Sequence, residues 1–276
     1  MADYRIGFKW WALIIAVVFV ISELVCVACV PERPVACDEK PGKISDMFKA
    51  LFKNDQAMTV VVSIILVYTS LNICGNLVLY FFRFDVGNEG AYSIFAAVAF
   101  AAQVLVMMVI PLLRKRFSKS QLFISGFIIQ IAGFAVILIM AFAKLYTPQS
   151  WYILCLPGIL IYLGYGMLNV IMTIFLSDSV DYGEVLNGTR EESVIFSMQT
   201  FTVKLASGVA VFLAGLIVDW IHLDTSATVQ TQDTLDALRM WMTIPSVILL
   251  IVGIFVFKRF YKLDDARMEE IKSKLN

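Results

Sequence analysis

The chain has 276 residues, 60% of them hydrophobic and 16% charged, with a formal net charge of zero. A soluble protein carries about 25% charged residues, and the apolar excess here sits in span-length runs. That balance excludes a water-soluble domain and predicts an all-α polytopic membrane protein with the bilayer as its main partner and no nucleic acid.

Seven transmembrane helices are predicted, over Trp10–Val30, Met58–Phe82, Ala91–Leu113, Gln121–Ala143, Trp151–Leu176, Ser193–Asp219 and Met240–Phe257. Basic residues decide their orientation. One set of alternate segments holds 16 lysines and arginines, including Arg114, Lys119, Arg190 and six from Lys258 to Lys274. The other holds five, among them Arg83, Lys144 and Arg239. The C-terminus is therefore expected in the cytoplasm and the N-terminus outside, in the cytoplasmic (inner) membrane. The five cysteines include a C-x-x-C at Cys26 and Cys29, but neither a second pair nor a nearby histidine accompanies it, so neither a metal site nor a cofactor is expected.

The first helix carries Glu23, an ionisable residue deep in a span. After it, PERPVACDEKPGKISDMFKALFKND is the longest connection; Ile44, Met47, Phe48, Leu51 and Phe52 recur at helical spacing and predict a short amphipathic surface helix. The six remaining spans are joined by short loops and read as one compact domain. In the second span Thr69, Asn72, Asn76 and Tyr80 form one polar stripe that must face the bundle interior, as interhelical glue or as the wall of a substrate path. Gln103 and Gln130 are single amides expected to hydrogen-bond between helices. The fifth span holds Pro157, Gly158, Gly164, Gly166, Asn169 and Thr173; the proline and first glycine predict local loosening, through irregular packing or as a gate.

The sixth span is the most informative, because Lys204 lies near its middle. An ammonium there costs about 2.5–3.5 kcal/mol on insertion scales unless something polar receives it. Lys204 lies about 16 Å of helix rise from Ser193, beyond what snorkelling can span. It therefore faces a polar interior, either a cavity or a carboxylate partner. Thr200, Lys204, Gly208, Val211 and Gly215 share its face, while Ala206 and Ala210 lie opposite and suit close packing. The segment SDSVDYGEVLNGTREES before it reads as a cytoplasmic loop with unexpected acidity: Asp178, Asp181, Glu184, Glu191 and Glu192 surround Arg190. Either it is a solvated loop or its acids pair with basic groups of the same face and close a gate. The tail KRFYKLDDARMEEIKSKLN reads as a solvated charged helix.

The run DSVDYGEVLNGTREESVIFSMQTFTVKLASG resembles the glycoside–pentoside–hexuronide:cation symporters, the melibiose-carrier branch of the major facilitator superfamily. The resemblance rests on Asp178, Asp181, Tyr182, Gly183, Glu184, Arg190, Glu192, Ser193, Gln199, Thr200 and Lys204, with weaker echoes in VPERPV, KND and LYFFRFDVGN. It implies twelve helices in two six-helix halves. Residues 1–30 would then be the sixth helix, 31–57 the middle loop, 58–258 the C-terminal half and 259–276 the cytoplasmic tail, with five helices missing. It also implies a sugar or glycoside substrate and a coupling cation, Na+ or H+, with a missing N-terminal half supplying the cation's carboxylates. The sugar–cation cavity would use Lys204, Thr200, Asn169, Thr173, Asn72, Asn76 and Tyr80, and the cytoplasmic gate Asp178, Asp181, Glu184 and Arg190. One departure is Asn169, near whose position the melibiose branch places an aromatic that contacts sugar.

A seven-helix receptor or photoreceptor is the alternative, since the helix count and polarity fit. A retinal-binding lysine belongs in the seventh helix, however, and Lys204 is in the sixth. A membrane enzyme would need a His/Asp cluster, an H-E-x-x-H or a Ser/Lys dyad, and none is apparent, so the chain is read as a transporter.

Overall fold

A computed structural model describes residues 4–29, 52–188, 190, 192–227 and 229–275. These fall into two units, 1–42 and 43–276. The first contains α1 (Tyr4–Cys29), a 26-residue apolar helix in which the Ser22 hydroxyl donates to the Phe19 carbonyl at 2.7 Å. Apart from Phe52, the predicted amphipathic surface helix lies outside the described residues.

The second unit contains α2 (Asp55–Tyr80), continued by a π-helical turn over Phe81–Asp85, then α3 (Ala91–Leu113), α4 (Lys119–Phe142), a 3-10 turn (Trp151–Leu154), α5 (Cys155–Asn187), α6 (Glu192–Trp220), α7 (Gln232–Phe260) and α8 (Asp265–Leu275). Seven helices, α1 to α7, are long and apolar enough to cross a membrane. Local chemistry sets their ends. Asn54 caps α2 by accepting from the Ala57 N–H at 2.9 Å. Ser118 and Gln121 form a reciprocal capping box on α4. α5 stops at Gly188, whose φ of 73° lies in the left-handed region that glycine enters without strain.

α2 is central to this unit, packing on α5, α6 and α7, while α4 joins α5 to α7 and α3 lies on α5. Small residues permit the closest approach. A Cβ at Gly164 would lie 2.6 Å from both the Gln130 backbone N and the Gly126 carbonyl O. Paired serines tie α2 to α7: each hydroxyl donates to the other residue's carbonyl, Ser70 to Ser246 at 3.1 Å and Ser246 to Ser70 at 2.8 Å. An aromatic core of Phe123, Phe127, Phe175 and Phe257 fills the space among α4, α5 and α7. Phe100, Leu105 and Met108 on α3 and Ile251 and Phe255 on α7 are exposed, as lipid-facing surface requires.

The structure differs from the sequence reading in four places. The acidic segment 177–187 is the last three turns of α5, not a loop. Pro157 falls in the first turn of α5, where its missing N–H costs nothing, so it loosens no helix. Gly158 and Gly166 there serve packing, against Phe95 and against Val106 and Gln103. The tail helix α8 is docked through Leu263, Met268 and Ile271 onto Tyr182 and Tyr261. Gln130 is fully buried, yet neither side-chain polar atom finds a hydrogen-bond partner among the described residues.

Candidate functional site

On α2 the predicted stripe is present but divided. Thr69 is buried and its hydroxyl finds no partner among the described residues, whereas Asn72, Asn76 and Tyr80 are half-buried. The Asn72 amide donates to the Tyr68 carbonyl and that of Asn76 to the Asn72 carbonyl, each at 2.7 Å. Each amide thus satisfies one of its two N–H donors within α2, leaving the side-chain oxygen available. Tyr80 stacks on Phe84 with 6.5 Å between ring centroids.

Tyr68, one turn before Asn72, belongs to the same face and was not singled out from sequence, although its i−4 spacing was the available signal. Its ring meets Tyr165 edge-on at 5.5 Å, and its hydroxyl accepts from the Asn169 amide at 2.5 Å. The Thr173 hydroxyl donates to the Asn169 carbonyl at 3.1 Å, and the Gln199 amide reaches the Thr173 hydroxyl at 3.4 Å. A polar line therefore runs from α2 across α5 to α6, through Tyr68, Asn169, Thr173 and Gln199. Thr200 follows directly, its hydroxyl donating to the Phe196 carbonyl at 3.3 Å.

Lys204 stands one turn beyond Thr200, exposed on α6. Ala206, Ala210 and Ala214 form the buried side, leaving Thr200, Lys204, Gly208, Val211 and Gly215 on the open side. No carboxylate of the six-helix unit pairs with Lys204 among the described residues.

The four residues predicted for a gate separate into two groups. Arg190 holds Asp181 at 3.0 Å, Glu184 at 2.8 Å and Glu192 at 3.3 Å in a largely exposed cluster joining the end of α5 to the start of α6. Asp178 is buried and pairs with Lys119 at the start of α4. Lys119 also lies 3.4 Å from Asp265 of α8, which Arg114 reaches at 3.3 Å. Burial alone would raise the Asp265 carboxyl, but the Arg114 hydrogen bond and the Lys119 charge outweigh it and hold the group below its ordinary value. Tyr261 stacks on Phe257 and Phe175 beside this cluster. Burial, followed by the nearby Asp178 and Asp265 charges, pushes its phenol upward, and its hydroxyl has no partner among the described residues.

A third polar cluster, at the other end of the unit, was missed. Arg239 donates to both oxygens of Asp85, from Nε at 2.8 Å and from Nη2 at 2.5 Å, and its Nη1 holds Asp236 at 2.7 Å. Tyr146 donates to Asp85 at 2.6 Å. The Arg239 and Asp85 side chains are each only 3% exposed. Arg239 lies two turns inside α7, a position that reads from sequence as a loop-side charge.

The unit is thus a membrane-crossing helical bundle with a polar line and an unpaired cation on one open side and charge clusters at its two ends. Those features are those of a membrane-crossing helical bundle with polar groups inside its spans, and comparison with known proteins identifies its family. Residues 3–265 match the family described as MFS/sugar transport protein, and the chain belongs to it. It is similar to the raffinose carrier protein of Pediococcus pentosaceus, at 24% identity over 84% of this chain and 35% of the relative. It is also similar to the isoprimeverose transporter of Lactiplantibacillus pentosus, 25% identical over 94% and 52%, and to the lactose permease of Lactobacillus delbrueckii subsp. bulgaricus, 25% identical over 98% and 42%. The chain thus spans about half the length, or less, of these relatives. The family match favours transport over the receptor reading.

Proposed function

We propose that this chain is one half of a cation-coupled sugar transporter working by alternating access, in which two helical bundles rock about a site near the membrane midplane. The observation that carries this reading is Lys204: a cation exposed on a membrane-crossing helix, one turn beyond Thr200, on the helix where the polar line from Tyr68 ends at Gln199. Sugar hydroxyls need closely spaced donors and acceptors, and Asn169, Thr173 and Thr200 offer them. Asn72, Asn76 and Tyr80 extend the same wall along α2. Lys204 hydrogen-bonds either to the sugar or to a carboxylate that helps bind the coupling cation, Na+ or H+.

The complementary bundle supplies the opposite wall and the cation's carboxylates. Asp178, Asp181, Glu184 and Arg190 belong to the gate on the cytoplasmic side, with the C-terminus cytoplasmic and the protein in the inner membrane. The substrate is a glycoside, pentoside or hexuronide. The relatives' names cover raffinose, isoprimeverose and lactose, and asparagine at 169 argues against a melibiose-like preference.

Uptake of labelled raffinose, isoprimeverose and lactose tests the proposal, in cells expressing this chain alone or with the N-terminal half of the isoprimeverose transporter. Uptake that requires both pieces and collapses when Na+ and H+ gradients are dissipated is expected. Gradient-dependent uptake by the chain alone would remove the half-transporter reading, and no uptake by either would remove the transport reading.

A further inference from the structure

A groove of about 480 Å3 opens between α2, α6 and α7, away from the polar line. Ile73 of α2 forms its buried floor, Leu213 of α6 one wall, and Trp241, Ile244, Pro245 and Ile248 of α7 the other. All lie on helices long and apolar enough to cross a membrane. From Trp241 to Ile248 the groove follows α7 for about 10 Å of helix rise. Its lining side chains bear a single polar atom, the Trp241 indole nitrogen, so a sugar or ion entering it would lose its water without replacement.

At one end of the groove Trp241 meets Trp220, with ring centroids 5.1 Å apart and the planes tilted by 39°. Tryptophans favour the level of lipid headgroups, with the ring in the apolar layer and the N–H toward water. The segment around those tryptophans is mainly acidic. Residues 219–241 hold Asp219, Asp224, Asp233 and Asp236 against one arginine, Arg239. Lys144 approaches this end at Gln232, 3.4 Å away, and Asp236 is engaged by Arg239. The remaining carboxylates favour an ammonium and repel a headgroup with net negative charge.

We propose that this groove is a built-in lipid slot, holding one acyl chain of a phospholipid whose headgroup carries an ammonium. Burial of the chain supplies the affinity and the acidic rim selects the headgroup. The slot binds a stationary lipid between α6 and α7, as distinct from the exchanging lipid that wets the rest of the bundle.

The test uses the whole chain reconstituted in vesicles of phosphatidylethanolamine or phosphatidylglycerol, re-extracted in mild detergent and weighed by native mass spectrometry. One phosphatidylethanolamine per chain is expected, retained at least ten-fold over phosphatidylglycerol. Ile248→Trp, which fills the slot, should lose it, and so should Leu213→Phe from the opposite wall, with helicity by circular dichroism confirming that each variant folds. Leu105→Trp, adding the same ring to the exposed face of α3, should retain it. Absence of bound lipid, equal retention of both lipids, retention in both filled variants, or a dimer mass in place of the lipid adduct would overturn the proposal.

Discussion

Lys204 and Arg239 are both cations on membrane-crossing helices, and the structure treats them oppositely. Arg239 is sealed against Asp85, whereas Lys204 is exposed and meets no carboxylate of its own unit among the described residues. Truncating them should therefore have opposite effects. Lys204→Gln is expected to leave the Tm in detergent within experimental error, while on the proposed function uptake measured together with the complementary half falls at least ten-fold; a large fall in Tm would make Lys204 structural. Glycine positions give a parallel contrast. Gly164→Ala forces a methyl against backbone atoms 2.6 Å away and should destabilise by about 1–3 kcal/mol. Gly208→Ala meets nothing within 4 Å and should stabilise α6, by up to about 1 kcal/mol. Thermal unfolding of the two variants checks both signs. The sequence predicts a polar interior around Lys204 because its charge leaves few alternatives, and the structure shows Lys204 exposed on α6. Sequence alone overlooks Tyr68 because a tyrosine among valines and isoleucines reads as core until its partner Asn169, 101 residues away, is in place.

Among the elements, α5 and α8 depart furthest from expectation, for one physical reason. Acidic residues in a run suggest a solvated loop, yet at the end of a helix they are equally satisfied when cations from neighbouring elements reach them. Asp178 has Lys119, and Asp181 and Glu184 have Arg190, so α5 continues until Gly188. The same logic docks α8, whose Asp265 is held by Arg114 and Lys119 while Met268 and Ile271 fold inward. Because the folded Asp265 carboxyl lies below its ordinary 3.8, its contribution to docking is present above that pH and is lost as pH falls through the depressed value. Hydrogen exchange of residues 265–275 should accordingly remain slow from pH 7 to pH 5 and speed up only below about pH 3.8, relative to the intrinsic rate. An Asp265→Asn variant should exchange fast throughout; slow exchange in that variant would show that the apolar face alone holds the helix.

For the whole molecule, the number and type of membrane-crossing helices were legible because span-length apolar runs admit one solution in lipid. The order in which they pack was not, since it depends on close glycine contacts and serine pairs that carry no periodic signal. The charge clusters at the two ends of the six-helix unit were legible only as charges. At one of them, Asp85→Ala would leave a buried guanidinium with only Asp236 and should cost about 3–5 kcal/mol, read as a large fall in Tm. Replacing Asp85 and Arg239 together by Asn and Met should recover much of that loss; no recovery would mean that Tyr146 or Asp236, not the pair, anchors this end.

The π-helical turn at Phe81–Asp85 lets that anchor tolerate a change of one residue in chain length. Its wide turn, closed by the Val86 N–H on the Phe81 carbonyl at 3.0 Å, aims Asp85 at Arg239 while Tyr80 keeps the phase of Asn76 and Asn72. Deleting one residue there would restore ordinary helical spacing while leaving everything beyond it nearly in place, because a π-turn is one extra residue absorbed within a single turn. In proteins descended from a common ancestor with this one, a one-residue gap in this segment should therefore be compatible with an arginine kept at 239.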